Sequence, residues 1–396
     1  MLLDYYNNRR SVEEIVNGPR AVFLNEMFSA KSNFLIMGDN AKALRALAHH
    51  DDIKGKVTLV YIDPPFATKN EFRIGAGRTS TMSRSKSDPI AYSDAIIDHA
   101  FLDFLYERLI LIRELMADDA SIYLHIDSKI GHYVKIVMDD VFGRVNFRND
   151  ISRIKCNPKN FDRRAYGNVK DMILFYTKTE RAVWNDPRLP LDGSDLTNRF
   201  NKTDEKGRHY ATIPLHAPGE TNGKTGQPWR GILPPAGRHW RSAPETLEAL
   251  DKQGLIEWSK NGNPRKRMFL DESAGKKIQD IWEFKDPQYP NYPTEKNLEM
   301  LKMIIAASSN EGDLVLDCFA GSGTTLLASH ELNRQWIGID QSEHAIKVTK
   351  MRLESSLATG SKMEVKVFSQ IGTTAKRDEK LASQKNLPSR LQKYAA

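Results

Sequence analysis

Val57-Thr58-Leu59-Val60-Tyr61-Ile62-Asp63-Pro64-Pro65-Phe66 is a short apolar run closed by an acid, two prolines and an aromatic residue. The run reads as a strand. Upstream, Asn33 to Asn40 reads as another strand that ends on an acid, Asp39, and residues 41–48 follow with helical spacing. Downstream come a long amphipathic helix from Asp94 to Met116, a buried strand at Ser121–Ile126 and a helix from Ile130 to Phe142. Two further strands, at 151–155 and 172–176, are joined by a basic loop. Helix and strand resume from Glu295: a helix, a strand at 313–318, a helix at 324–333 and a strand at 335–340. Strands alternating with helices predict an α/β fold, with a mostly parallel sheet covered on both faces.

Other segments interrupt this alternation. Residues 1–30 read as an irregular arm, and residues 67–93, rich in Ser, Arg, Thr and Lys, as a mobile loop beside the Asp-Pro-Pro-Phe tetrad. From 182 to 285 Gly, Pro, Trp and Arg become frequent and helical periodicity fades, which reads as an inserted domain. It separates a first half, 31–181, from a second, 286–360. The Lys-, Ser- and Gln-rich stretch 361–396 reads as a loosely ordered tail.

The bulk composition narrows the function classes. With 396 residues, 40% hydrophobic and 28% charged, the chain can bury one large core or two moderate ones. No run approaches the roughly 18 apolar residues of a membrane helix. The first residues lack the basic-then-apolar pattern of a secretory signal, so a cytoplasmic protein is expected. Cys156 and Cys318 are the only cysteines, too few for a zinc cluster or a disulfide framework. His49 and His50 are adjacent and cannot face one ligand from a helix, so no metal is expected. A net charge of +7 favours a polyanionic partner.

Asp317-Cys318-Phe319-Ala320-Gly321-Ser322-Gly323-Thr324-Thr325 follows the strand at 313–318. Gly321 and Gly323 allow a tight turn and a close backbone approach to a ligand, and Thr324 and Thr325 open the next helix. The following strand ends on Asp340, placed to accept hydrogen bonds from ribose hydroxyls. The loop is neither the dinucleotide fingerprint nor a triphosphate loop, since no lysine follows the glycines. A nucleoside without phosphates fits better. Asp63 and the Pro64 carbonyl supply two acceptors for the two protons of an exocyclic amine, which localises its lone pair. Pro64 and Pro65 stiffen the turn, and Phe66 offers an aromatic ring for stacking. Each feature also has a plainer reading. Asp39 serves equally as a helix N-cap, Thr294 caps the helix that follows it, and the tetrad ends a strand.

Together, the tetrad followed by the glycine loop resembles the β class of DNA amino-methyltransferases, over residues 30–355. The resemblance implies a Rossmann-like, circularly permuted sheet of seven strands with an inserted target-recognition domain at 182–285. It implies S-adenosylmethionine as methyl donor, bound by Asp39, Asn40, Asp317, Phe319, Gly321, Gly323, Thr324, Thr325 and Asp340. Tyr292-Pro293-Thr294-Glu295-Lys296 is similar to the family's His-Pro-Thr-Gln-Lys-Pro segment, which places Thr294 and Lys296 at the methionine end of that pocket; Tyr292, Glu295 and Asn297 depart from the pattern. Catalysis falls to Asp63, Pro64, Pro65 and Phe66. Within the insertion, Arg199, Arg208, Arg230, Arg238, His239 and Arg241, mixed with Trp229 and Trp240, suit phosphate and base contacts with double-stranded DNA. The plainer reading there is a solvated basic surface over a small tryptophan core. Type III modification subunits and stand-alone adenine methyltransferases carry similar stretches, so a homodimer and a restriction subunit are both admitted as partners. Adenine N6 is the expected target, because relatives acting on cytosine N4 more often carry Ser in place of Asp63. Cytosine N4 and a catalytically inactive DNA-binding subunit remain the alternatives. Cytosine C5 chemistry is not expected, since neither cysteine follows a proline.

Overall fold

The structure is a computed structural model that describes residues 5–6, 9–23, 28–65, 71–73, 90–93, 99–158, 162, 164–259, 262–288, 295–355 and 365–374. Phe66 and Thr294 lie outside the described residues. The chain divides into two compact units. One is Met1–Pro187 with Gln279–Ala396, and the other is Arg188–Ile278.

The first unit is built on a nine-stranded sheet. In chain order its strands are β1 (Phe34–Met37), β2 (Val57–Ile62), β3 (Met116–Ile126), β4 (Phe147–Ile154), β5 (Lys170–Thr177), β6 (Ile281–Trp282), β7 (Leu314–Asp317), β8 (Gln335–Asp340) and β9 (Lys366–Ser369). Across the sheet they run β6-β4-β5-β3-β2-β7-β8-β1-β9. Every neighbouring pair is parallel except the two that involve β5, which runs against the rest. All six residues of β2 and all four of β7 are buried, as a strand covered on both faces requires. Each fully buried Val, Leu or Ile there contributes roughly 1.5–3 kcal/mol.

Helices α1 (Asn40–Ala48), α2 (His99–Leu115), α3 (Ser128–Phe142), α4 (Leu298–Ser308), α5 (Thr324–Glu331) and α6 (Glu343–Ser355) connect these strands. Their starts follow local chemistry. Asp39 caps α1 by accepting from Lys42 N at 3.0 Å, and Asp127 caps α3 by accepting from Lys129 N at 2.8 Å. Chain order reverses direction between β2 and β7. From β2 the chain proceeds to β3 on one side, and from β7 to β8 on the other. Open α/β sheets bind ligands at such a switch point, beyond the carboxyl ends of the strands. Asp63 follows β2 there, and Asp317 ends β7 beside it.

Several expectations are corrected. The sheet has nine strands rather than seven, because β6 and β9 join its two edges. Both are short, and β9 is largely exposed, so neither carries a periodic apolar signal. Strand β9 falls in the stretch read as a loose tail. The arm is not irregular throughout. Val12–Val16 is a helix with a Ser11/Glu14 capping box, and Ala21–Val22 pairs with Gly372–Thr373. Within the expected loop at 67–93, Glu71–Arg73 and Ile90–Ser93 pair as antiparallel strands.

The second unit has a four-stranded antiparallel sheet, in the order Lys202–Thr203, His209–Pro214, Pro264–Phe269 and Ile256–Trp258. A separate ribbon pairs His216–Pro218 with Arg238–Trp240, and helix Pro244–Lys252 follows it. Leu215, Trp229, Trp240, Leu247 and Ile256 form a small core.

Candidate active site

Asp63 emerges from β2 with its two carboxylate oxygens in different situations. Oδ2 accepts from Lys296 Nζ at 2.6 Å, and both side chains are mostly buried. Oδ1 is buried and, among the described residues, has no hydrogen-bond partner. An orphaned buried acceptor is costly, about 1–3 kcal/mol, unless something arrives to fill it. Lys296 was expected at the cofactor's methionine end; here it grips the proposed catalytic acid.

Beneath Asp63 lies a chain of buried polar groups that the sequence reading passed over. His125 in β3 is fully buried, with Nδ1 2.8 Å from the Tyr61 hydroxyl and 4.0 Å from Asp63 Oδ1. Its Nε2 lies 3.2 Å from Asp171 Oδ2. Lys155 Nζ donates to Asp171 Oδ1 at 2.6 Å, and Arg153 approaches the same carboxylate at 3.8 Å while pairing with Asp286. The antiparallel register of β3 and β5 sets His125 opposite Ile173, two residues from Asp171. The only available signal was a His and an Asp interrupting otherwise apolar strands.

The glycine loop is organised from within. Gly321 and Gly323 both have positive φ, 50° and 73°. Asp340 Oδ2 accepts from Gly321 N at 2.8 Å, and its Oδ1 accepts from Ser342 N at 2.8 Å. Burial pushes the Asp340 carboxyl upward against these amides, and the remaining lone pairs can still take hydroxyl donors. Asp317 is fully buried and accepts from Phe319 N at 3.0 Å. Burial pushes it up to about 7, helped by Asp63 and Asp340, although Thr325 and Phe319 N bond to its charged form. Burial likewise holds the Cys318 thiol well above its ordinary value, so it stays protonated and is no nucleophile. Phe319 packs its ring 6.0 Å from Phe104.

Several residues expected at the cofactor also brace the loop from within. A Cβ on Gly323 would stand 2.4 Å from Thr349 Cγ2, so its missing side chain makes room for α6. The Thr324 hydroxyl pairs with Ser322 and accepts from Arg352, and the Thr325 hydroxyl serves Asp317. Asn40 donates to Cys318 O at 2.9 Å and accepts from Arg108 Nε at 2.7 Å, which fixes the α1 start against the loop. Arg352 also donates to Ser322 O at 2.8 Å and pairs with Glu295 at 2.7 Å. Glu295 thus stands beside Lys296 with a partner of its own, which explains how a residue departing from the usual segment is accommodated.

In the second unit the basic residues separate into two groups. Arg230 is held by Glu248 and Asp251 of helix Pro244–Lys252, and Arg208 by Asp204 with its guanidinium 3.7 Å from the Phe269 ring centre. Both are structural pairs. Trp229 and Trp240 are core residues. By contrast Arg238 and Arg241 are exposed beside His216, whose imidazole is pushed downward by burial and then by Arg238, Arg241 and Arg265. His239 lies against Gly219 O at 2.8 Å, and Arg199 is exposed near Phe200. Among the described residues no group of three His, Cys, Asp or Glu is placed to hold a metal. No described helix is long and apolar enough to cross a membrane.

An acid with a bare oxygen at the switch point, beside an acid-anchored glycine loop, defines the class, and the comparisons agree. Residues 57–351 match the N6/N4 DNA methylase family, and the chain belongs to it. It is 42% identical over 337 residues to the type II methyltransferase M.EcaI of Enterobacter cloacae, covering 83% of this chain and 71% of that protein. It is 26% identical over 397 residues to the probable type III restriction-modification enzyme HindVI Mod subunit of Haemophilus influenzae, covering 81% of this chain. The chain spans about half the length of that subunit, 50%. Among solved structures, the M1.HpyAVI–SAM complex is 16% identical with a TM-score of 0.44, covering 81% of this chain and 98% of that one.

Proposed function

We propose that this DNA methylase transfers a methyl group from S-adenosylmethionine to the N6 amine of adenine in double-stranded DNA. The carrying observation is the split carboxylate of Asp63, with Oδ2 pinned by Lys296 and Oδ1 buried without a partner among the described residues. An adenine amine is a poor nucleophile because its lone pair is delocalised into the ring. Asp63 Oδ1 and the Pro64 carbonyl accept its two protons and draw the nitrogen toward a tetrahedral shape. Bound S-adenosylmethionine supplies a methyl group already activated on a sulfonium. As the new bond forms, the nitrogen loses one proton to Asp63 Oδ1. Lys296 holds the carboxylate in place, so positioning and electrostatics carry the catalysis.

The donor set suits a nucleoside without phosphates. Asp340 keeps lone pairs for ribose hydroxyls, Asp39 stands half-buried just past the carboxyl end of β1, and the loop backbone turns through Gly321. Phe66 is assigned to stacking on the extruded base and Thr294 to cofactor binding, both from their sequence motifs. Arg199, Arg238, His239 and Arg241 meet DNA; Arg238 and His239 are on one ribbon of the second unit, and Arg241 directly follows it. A homodimer and a restriction subunit are the expected protein partners, and the cytoplasm the expected compartment.

The test is methylation of plasmid DNA in a host lacking the modification, followed by nucleoside mass spectrometry. N6-methyladenine is the expected product; N4-methylcytosine would refute the choice of base. Asp63→Ala should lower the rate by about 10²–10³ while cofactor affinity by calorimetry is retained. Undiminished methylation by that variant would refute the role of Asp63.

A further inference from the structure

Asp63 Oδ1 is bare even though a histidine nitrogen lies 4.0 Å away. A donor at that nitrogen would compete with the substrate amine for the same oxygen. We propose that Asp171, His125 and Tyr61 form a tautomer lock, which keeps His125 Nδ1 an unprotonated acceptor engaged by the Tyr61 hydroxyl, so that no N–H on that nitrogen competes for Asp63. This rests on Asp63 being the acceptor for the amine.

The lock follows from three contacts. Asp171 is buried, which works against its charge, but His125 and Lys155 outweigh burial and hold its carboxyl well below the usual range. Lys155 sits at 2.6 Å on Oδ1 and Arg153 at 3.8 Å on Oδ2. An ionised carboxylate only accepts, so the 3.2 Å contact makes His125 Nε2 the donor. Burial, with Lys296 adding to it, pushes the imidazole below its ordinary value against the pull of Asp171 and Asp63, so the ring carries one proton. That proton is on Nε2, and Nδ1 is left as an acceptor. Tyr61 completes the arrangement. Burial drives its hydroxyl well above the ordinary range, so it keeps its proton and donates it to Nδ1 at 2.8 Å. Among the described residues, the charged and titratable groups facing His125 include Asp63, Lys296, Asp171, Lys155, Arg153 and Tyr61. They come from the turn after β2, from β2 itself, from β4 and its end, from β5 and from the segment before α4. All three lock residues are positioning residues. None of them is required to touch the base.

The experiment reads the tautomer directly, by two-bond 15N–1H spectra of the full chain labelled with 15N-histidine. His125 is assigned from the signal lost in His125→Asn. In the unsubstituted protein Nε2 should carry the proton and Nδ1 should be unprotonated. A protonated Nδ1 overturns the proposal without any variant having to fold. Asp171→Asn should move the proton to Nδ1 and lower the single-turnover rate by about 10²-fold or more, by analogy with the wrong-tautomer effect in serine proteases. Cofactor affinity should stay unchanged. An unchanged rate in Asp171→Asn, where Asp63→Ala is inactive, overturns the lock alone. An active Asp63→Ala overturns the acceptor role and the lock with it.

Discussion

Replacing Gly323 by alanine tests what the glycine loop is for. Gly323 sits at φ 73°, a conformation that costs an L side chain roughly 1–2 kcal/mol. The new Cβ would meet Thr349 Cγ2 at 2.4 Å, Oγ1 at 2.7 Å and Cβ at 2.9 Å. Thr349 is β-branched, on a helix and only 1% exposed, so it cannot swing aside. Its hydroxyl also donates to Gly321 O at 3.0 Å, and moving it forfeits that bond, about 0.5–1.5 kcal/mol. Overpacking adds about 1–3 kcal/mol, so the total is about 3 kcal/mol or more. Urea unfolding followed by far-ultraviolet circular dichroism measures it. Repeating the substitution in a Thr349→Ala background removes the two nearest contacts and should recover at least about 1 kcal/mol, leaving the backbone strain and the 2.9 Å approach to the residue 349 Cβ. A cost below about 0.5 kcal/mol, or the same cost in both backgrounds, would refute the claim that Gly323 serves the packing of α6.

Further outcomes follow from the same geometry. Asp317 is held in the fold at about 7 against an ordinary 3.8, so between about pH 4 and pH 7 the unfolded chain releases its proton first and stability falls as pH rises. Asp317→Asn should flatten that part of a stability-versus-pH curve, and an unchanged slope would refute the assignment. Neutralising Arg238 and Arg241 together should weaken DNA binding and reduce its salt slope by about one to two, read by fluorescence anisotropy on cognate and scrambled duplexes. Unchanged affinity at every salt concentration would make this cluster a solvated face. Arg230→Ala should instead lower the melting temperature and spare DNA affinity, because its guanidinium is committed to Glu248 and Asp251.

The strands at the switch point were legible because each is a continuous apolar run ending on an acid, and a parallel sheet puts all such ends on one edge. The Asp39 cap was legible for the same reason, being the last polar residue before a helical run. The direction in which a side chain turns was not legible. Thr324 and Thr325 sit in a loop that looks built for a ligand, yet their hydroxyls serve Arg352, Ser322 and Asp317. Nothing in the string of letters tells a ligand contact from a brace for the loop itself. Likewise Arg208 and Arg230 look like Arg238 and Arg241 until their acidic partners, up to 64 positions away in the case of Glu272, are placed beside them. His125 and Asp171 are 46 residues apart and meet only through strand register. The strands β6 and β9 escaped notice because edge strands need little apolar surface.

Strand β1 has a consequence for how the chain is made. Phe34–Met37 leaves the ribosome early, but its two neighbours are residues 335–340 and 366–369. At bacterial or eukaryotic elongation speeds, the roughly 300 residues from Met37 to Gln335 take about 15–60 s to synthesise. For that interval an apolar segment waits with neither of its native strand neighbours, a state open to pairing with any other exposed strand. Nascent chains should therefore need shelter until the glycine loop and β8 have emerged. A chain stopped before residue 335 should be found in the insoluble fraction, while stopping after Ser369 should restore both edges of β1.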